Sequence, residues 1–407
     1  MMVQMKKASL LWAKISVAKL RCAVLTLLLG PLFLVMMVPS GLKANEIDTV
    51  AEFAYAKDLT TGRVLINKNA DMAMKPASMA KIMTLYITFE RLAEGSLALD
   101  DTFLVSTKAW KKGGSRSFLE VDSDVDIKTL ILGVAVQSGN DAAIVLAEGL
   151  AGSEEAFATE MNRTAKKLGM VNTNFTNSTG WPDPELTTTA RDLAILTEAL
   201  HRDFPVSKYP DLYPVFAIKE VTINNIKQGN RNPLLYGTDG ADGLKTGHTK
   251  ESGYGLVGSA LRDDQRIMFV LNGMKSKGER ARESRRLMDF LFREYSVYKL
   301  FDTGESVEQA PVWLGKSAQV PMVLAEPLAR TFSRRERADM KVSVHYSSPV
   351  PAPIMKGDQI GTLKLEAGGK TEEFPLLAGR SVAQLGLFDR IGEALKFLIL
   401  GAPVALD

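Results

Sequence analysis

The stretch KPASMAKIMT, residues 75–84, opens a segment that is apolar enough to be a buried helix. The pattern predicts a helix from about Ser78 to Ala93. Ser78 and Lys81 are three residues apart, so both side chains project from the same side of this helix. Because burying a charged amine costs free energy, a lysine on an apolar helix indicates a function.

A serine followed three residues later by a lysine is a weak signal when taken alone. The chain contains it four times, at Ser16/Lys19, Ser40/Lys43, Ser78/Lys81 and Ser296/Lys299. Two further motifs distinguish the pair Ser78/Lys81. Ser138-Gly139-Asn140 interrupts an otherwise helical run and frees backbone groups for another use. Lys245-Thr246-Gly247 is expected to begin a strand, where the glycine indicates close approach of a ligand.

Serine is a poor nucleophile and needs a base. No His–Asp pair is positioned by the sequence, so we expect Lys81 to be the base for Ser78. A lysine acts as a base near neutral pH only if its pKa is strongly lowered, by burial or by a second cation, and Lys245 is the candidate cation. We expect Ser138 to relay the proton to the leaving amine, and Asn140 to hold either the substrate backbone or Lys81.

Composition limits the classes of function. The chain has 407 residues, 46% hydrophobic and 24% charged, with a net charge of +3. Six basic residues and no acidic one lie in residues 1–44, so the rest is nearly neutral and predicts no nucleic-acid partner. The three histidines, His201, His248 and His345, show no metal-ligand spacing. No glycine-rich phosphate loop follows a strand. We therefore expect no metal and no cofactor.

The two ends of the chain have their own character. Residues 1–44 combine a basic start, an apolar run and a final small residue, which predicts a secretory signal; a retained membrane span is the alternative. The one cysteine, Cys22, lies inside this segment, so the exported chain would lack thiols. Residues 299–382 predict a small all-β domain, and 383–407 an amphipathic helix whose apolar face meets the membrane surface or packs on the protein.

The three motifs occur in the order S-x-x-K, S-x-N, K-T-G, and they are accompanied by QSGNDAA, TARDLA and GLKTGHT. In these respects the chain resembles the D-alanyl-D-alanine carboxypeptidases, a family of low-molecular-mass penicillin-binding proteins. The resemblance implies an α+β fold. Its parts would be a β-lactamase-like catalytic domain (45–298, an antiparallel sheet with helices), the small all-β domain and the anchoring helix. It also implies an oxyanion hole formed by the backbone N–H groups of Ser78 and His248.

The resemblance implies that Ser78 removes the terminal D-alanine from peptidoglycan stem pentapeptides, and that β-lactam antibiotics acylate the same serine. An exopeptidase must recognise a free carboxylate. Thr246 can donate through its hydroxyl, and the resemblance adds Arg231 and His248. Alternatively, Arg231 is a surface charge and His248 a loop histidine without such a role. The expected location is the periplasmic face of the bacterial inner membrane.

Three alternative functions stay open. A D,D-endopeptidase or transpeptidase would use the same scaffold. A class A β-lactamase would place a glutamate, closely followed by an asparagine, between the second and third motifs; the nearest candidate, Glu185, has no such asparagine. A non-catalytic wall-binding scaffold would not need the intact serine and lysines of the motifs.

Overall fold

The computed structural model describes residues 47–400, which form two compact units. The larger unit contains Asp48–Leu300 and Leu328–Arg337; the smaller contains Phe301–Pro327 and the described residues from Ala338 onward. The predicted signal segment lies outside the described residues. The predicted domain boundaries stay a prediction, although the larger unit also includes a segment taken from the predicted β domain.

The larger unit contains runs of helices and runs of strands along the chain. Its helices are α1 (Lys81–Ala93), α2 (Thr107–Lys111), α3 (Ile127–Ala135), α4 (Asn140–Ala151), α5 (Glu154–Leu168), α6 (Ala190–Asp203) and α7 (Lys277–Glu294). Its strands are β1 (Phe53–Asp58), β2 (Val64–Lys68), β3 (Thr102–Leu104), β4 (Asp124–Asp126), β5 (Glu220–Ile223), β6 (Ile226–Gly229), β7 (Ala241–Thr249), β8 (Gly253–Arg262) and β9 (Gln265–Met274).

Five strands form an antiparallel sheet in the order β2-β1-β9-β8-β7. Asp263 and Asp264 connect β8 to β9, and both residues have positive φ, 45° and 64°. That conformation matches the twist of a two-residue hairpin. Consecutive residues of β8 and β9 are buried, because α7 packs against both strands and α6 against β9 and β1.

The helical part of the unit surrounds α1. All residues of α1 from Lys81 to Phe89 are buried, as are those of α4 from Asn140 to Ala147. Over this length α1 presents no side to solvent. The amine of Lys81 must therefore find its hydrogen-bond partners inside the protein.

Two local predictions need correction. The helix predicted from about Ser78 begins at Lys81, and Ser78 lies on a preceding 3-10 turn, Ala77–Ala80. Ala77 has a φ of +48°, which a right-handed helix cannot include. The K-T-G motif lies in the second half of β7 rather than at its beginning.

The smaller unit is built on a six-stranded sheet, as the predicted all-β domain requires. Its strands are β11 (Ser306–Trp313), β12 (Gln319–Val323), β14 (Lys341–His345), β15 (Val350–Pro351), β16 (Gln359–Ala367) and β17 (Lys370–Ala378). They run in the order β14-β16-β17-β12-β11-β15, with the parallel pair β11–β15 at one edge. Val320, Met322 and Leu363 are fully buried in its core. The larger unit also contains most of a two-stranded pair, β10 (Tyr295–Phe301) with β13 (Leu328–Ser333), and of the short helix α8 (Arg334–Ala338) that follows.

The predicted C-terminal helix is present as α9 (Leu387–Leu400). Its apolar side chains at Leu387, Phe388, Ile391 and Leu395 are exposed, and Phe388 is 86% exposed. Within residues 47–400, no helix has the length and apolar character needed to cross a membrane.

Candidate active site

Two other segments of the chain approach the turn that carries Ser78. Each approaches at a glycine, Gly180 or Gly247. A Cβ atom on Gly180 would lie 1.8 Å from the carbonyl oxygen of Ala77. One on Gly247, in β7, would lie 2.9 Å from the carbonyl oxygen of Pro76. The Ser78 side chain remains half-buried. The turn is thus held between β7 and the chain at Gly180, and the Ser78 hydroxyl retains access to solvent.

Lys81, at the first position of α1, is fully buried and points its amine at three oxygens. Nζ lies 3.1 Å from Oγ of Ser78, 2.7 Å from Oδ1 of Asn140 and 2.6 Å from the backbone carbonyl of Thr179. These three acceptors fix the amine beside the serine hydroxyl. Of the two partners proposed for Asn140 from the sequence, the structure shows Lys81.

The Lys81 amine is poised to lose its proton near neutral pH. Burial, helped by the charges of Arg231 and Lys112, lowers its pKa to about 7, whereas Asp141 and Glu154 oppose the shift. The cations that add to the effect of burial are thus Arg231 and Lys112, whereas the sequence offers Lys245 as the candidate second cation. Burial and the charge of Lys81 lower the pKa of Lys245 itself, because two buried amines cannot both carry a proton cheaply.

The S-x-N motif forms the connection between α3 and α4, as predicted. Ser138 has a φ of +70°, and its buried Oγ has no hydrogen-bond partner among the described residues. A Cβ atom on Gly139 would lie 2.1 Å from Oγ of Ser117, so only glycine fits there. Asn140 donates from Nδ2 to the carbonyl of Gly113 at 2.8 Å. Asn140 therefore links the glycine-rich loop 113–115 to the Lys81 amine.

Strand β7 carries the third motif, Lys245-Thr246-Gly247, on one side of the site. Lys245 and Thr246 are buried, whereas His248 is exposed and stacks on Tyr254 with 3.9 Å between ring centroids. No hydrogen bond among the described residues joins the side chains of Thr246 or His248 to Ser78. The close approach predicted at Gly247 is to the protein's own Pro76, which corrects the expectation of a ligand there.

Arg231 follows β6 and is exposed, and its Nη1 donates to Oγ of Ser115. Ser115 belongs to the loop that Asn140 also holds, since its carbonyl accepts from the Asn140 N–H at 2.7 Å. The charge of Arg231 lowers the pKa of both Lys81 and Lys245.

Three residues that the sequence reasoning missed support the site. Asp141 is fully buried and its carboxylate accepts from the N–H groups of Ser117 and Ala142 at 2.7–2.9 Å. Glu154 accepts from Ser178, next to the carbonyl that Lys81 contacts. Arg280 is 5% exposed beneath β7, and the described residues provide it no carboxylate partner. The only available signal was that QSGNDAA contains an acid next to Asn140.

The nucleophile Ser78, the buried amine of Lys81 and the unbonded hydroxyl of Ser138 together suit acyl transfer through an ester on the serine. The residues described hold no group of three or more His, Cys, Asp or Glu side chains that could bind a metal ion.

Comparisons with known proteins agree with this site. The family model for D-alanyl-D-alanine carboxypeptidase matches residues 41–276, and that for the C-terminal domain of penicillin-binding protein 5 matches 295–384. The chain is 35% identical to the D-alanyl-D-alanine carboxypeptidase DacC of Escherichia coli, covering 89% of this chain and 93% of DacC. With DacF of Bacillus subtilis it shares 33% identity, covering 89% of this chain and 94% of the relative.

The crystal structure of penicillin-binding protein 5 from Haemophilus influenzae has the same fold. Its TM-score is 0.70 at 30% identity, over 84% of this chain and all of the other. The predicted fold class and the predicted serine peptidase are thereby confirmed. The chain belongs to the D-alanyl-D-alanine carboxypeptidase family.

Proposed function

We propose that the protein is a serine-type D-Ala-D-Ala carboxypeptidase that removes the terminal D-alanine from peptidoglycan stem pentapeptides. One observation carries the proposal: the buried Lys81 amine, with a pKa of about 7, lies 3.1 Å from Oγ of Ser78. A neutral amine at this distance can take the hydroxyl proton as the oxygen attacks a carbonyl carbon.

The acylation step follows from this geometry. Oγ of Ser78 bonds to the carbonyl carbon of the penultimate D-alanine, and its proton passes to Nζ of Lys81. The oxyanion accepts hydrogen bonds from the backbone N–H groups of Ser78 and His248. This assignment is supported by Gly247, whose lack of a side chain lets β7 approach the turn that carries Ser78.

The peptide C–N bond then breaks, and the terminal D-alanine leaves with a proton that Lys81 returns. The unbonded hydroxyl of Ser138 is suited to relay that proton. Water next attacks the ester while Lys81 acts again as base, which releases the shortened peptide and restores Ser78. A β-lactam acylates Ser78 in the same way, but its leaving nitrogen stays tethered to the acyl group.

The free carboxylate of the substrate requires cations and donors. We assign it to Thr246, His248 and Arg231, of which Arg231 is held by Ser115 at the edge of the site. Arg280, which is buried on the β7 side, adds a further guanidinium there.

The test is product analysis. The protein, with Ser78→Ala as its control, is incubated with a stem pentapeptide and with a cross-linked stem-peptide dimer, and the products are weighed by mass spectrometry. We expect loss of one D-alanine from the pentapeptide by the unmodified protein alone. Cleavage of the dimer in preference would favour the endopeptidase, and turnover by Ser78→Ala would exclude Ser78 as the nucleophile.

We further propose that the protein is exported and acts at the periplasmic face of the inner membrane. The signal-like composition of residues 1–44 supports export. The exposed apolar side chains of α9 support attachment in the plane of the membrane, because an amphipathic helix can insert its apolar face at the headgroup boundary.

A further inference from the structure

The segment Asn177–Trp181, here called the 177–181 loop, touches the site at several points. The carbonyl of Thr179 accepts from the Lys81 amine at 2.6 Å. Gly180 packs on the carbonyl of Ala77, beside the nucleophile. Trp181 packs its ring beneath Nζ of Lys112, 4.5 Å away. The position of this loop therefore determines where the base and the nucleophile lie.

A buried carboxylate holds the loop. Glu154, at the start of α5, is only 6% exposed, and its Oε1 accepts from Oγ of Ser178 at 2.8 Å and from the Ser178 N–H at 3.2 Å. The Ser178 carbonyl in turn accepts from the hydroxyl of Thr84, on the same helix as Lys81. Glu154 thus accepts two hydrogen bonds from Ser178, the residue that precedes Thr179. Because hydrogen bonds to a carboxylate are strong, Glu154 is the main anchor of Ser178.

Helix capping does not explain why Glu154 is buried. The N-terminus of α5 is already capped by Ser153, whose hydroxyl accepts from the Ala156 N–H at 3.1 Å. The next residue, Glu155, occupies the same helical turn and remains in solvent, with its side chain 77% exposed. Both carboxylates pair with Lys108, at 3.0 and 2.9 Å. Only Glu154 accepts hydrogen bonds from the loop, and only Glu154 is buried.

We infer that Glu154 is a positioning residue for the reaction at Ser78: through Ser178 it fixes the Thr179 carbonyl that orients the Lys81 amine. The inference rests on the proposed function, because it assumes that Lys81 is the base. Glu154 itself touches neither substrate nor the reacting atoms.

The charge of Glu154 provides a readout that a purely structural role would not move. Asp141 and Glu154 raise the pKa of Lys81, while burial, Arg231 and Lys112 lower it. Lys245, whose own pKa burial and Lys81 depress, faces the same amine from β7. Removing the Glu154 charge should lower the pKa of Lys81 further. Since the neutral amine is the active form, acylation would then persist to lower pH.

The test measures the rate of acylation by a labelled penicillin against pH for the full chain and four variants. Glu154→Gln keeps an oxygen that accepts from Ser178 but loses the charge; Glu154→Ala loses both. Glu155→Gln is the matched control, because it removes the exposed partner of Lys108, and Lys81→Met removes the base. We expect the rise of the acylation rate with pH to occur at lower pH in Glu154→Gln. In Glu155→Gln it should occur at the same pH as in the unmodified protein.

The maximal rate should stay within about threefold of the unmodified protein in Glu154→Gln, and fall about tenfold or more in Glu154→Ala, because a displaced reacting group is costly. An unmoved limb in Glu154→Gln overturns the inference even if Glu154→Ala fails to fold. Unchanged acylation by Lys81→Met would instead overturn the proposed base, so the two failures are distinguishable.

Discussion

Oδ1 of Asn140 lies 2.7 Å from Nζ of Lys81, although the two residues are 59 positions apart in the chain. The contact joins the first motif to the second and directs the lysine toward Ser78. The amide is a neutral acceptor, so it holds the amine without favouring the ammonium form as a carboxylate would. This neutrality is consistent with a Lys81 pKa of about 7.

Replacing the amide by a carboxylate should therefore slow the enzyme at neutral pH. In Asn140→Asp a negative charge beside Nζ raises the pKa of Lys81, and an opposite charge this close typically shifts a pKa by about one unit or more. We expect acylation at pH 7 to fall about tenfold or more, with recovery at alkaline pH. The measurement is penicillin acylation against pH, with Asn140→Ala as the control. A profile in Asn140→Asp that matches the control would show that charge at this position is unimportant.

Removing the base should be more severe. In Lys81→Met the proton of Ser78 has no acceptor, so acylation should fall by about 10²–10⁴-fold with little change in folding. In the unmodified protein the rate should rise as pH increases through about 7, because the neutral form of Lys81 is the active one. Lys111→Met, at an exposed lysine, should change neither. If Lys81→Met acylates within about tenfold of the unmodified protein, another group is the base.

Gly180 offers a test of the turn that carries Ser78. Its φ is +74°, and a Cβ atom there would overlap the carbonyl of Ala77. Gly180→Ala should lower the free energy of unfolding by about 2 kcal/mol or more and slow acylation, because the nucleophile must move. Gly62 has a similar φ of +77° and no atom within 4 Å of an added Cβ. Gly62→Ala should thus cost about 1 kcal/mol of backbone strain and leave acylation unchanged.

Urea unfolding and penicillin acylation, measured on both alanine variants, separate the two effects. Equal acylation rates in Gly180→Ala and Gly62→Ala would mean that the 177–181 loop does not constrain Ser78.

The membrane proposal leads to a prediction for α9. Deleting residues 385–407 should release active enzyme from vesicles of phosphatidylethanolamine and phosphatidylglycerol, as measured by flotation. Phe388→Asp should weaken binding strongly, because it places a charge on the exposed apolar face, whereas Asp389→Asn should not. Added salt should matter little, since the acidic and basic residues of the helix largely balance. Unchanged binding after the deletion would place the attachment elsewhere.

The sequence predicted the parts of the site that are local or belong to a motif. The spacing of Ser78 and Lys81 is a helical property, and their hydrogen bond confirms that the two side chains meet. The interruption at Gly139 was visible because it breaks an apolar period.

Other features depended on contacts that no local pattern encodes. Gly247 signalled a close approach, but a glycine does not say whether a ligand or Pro76 approaches. The pKa of Lys81 depends on which neighbouring group keeps its charge, and a buried Lys245 is a poorer source of charge than Arg231. Glu154 resembles any acidic residue at a helix start, because its partner Ser178 is 24 residues away.

The last prediction concerns Arg231 and the kind of peptidase. A charge-assisted hydrogen bond contributes roughly 1.5–3 kcal/mol. If Arg231 binds the free carboxylate, Arg231→Ala should lose about tenfold to a hundredfold in kcat/KM on a free-acid pentapeptide. The loss should be much smaller on the C-terminal amide, which has no charge to bind. Arg262→Ala, an arginine paired with Asp289, is the control that should affect neither substrate.

Arg231→Ala should also have a second effect, which must be separated from the loss of carboxylate binding. The charge of Arg231 also lowers the pKa of Lys81, so Arg231→Ala should raise that pKa and slow both substrates near neutral pH. At about pH 9 Lys81 is neutral in either protein, and this common loss should disappear. The remaining difference between acid and amide then measures carboxylate binding alone. Equal losses on both substrates at alkaline pH would mean that Arg231 only shapes the site through Ser115, and they would strengthen the endopeptidase alternative.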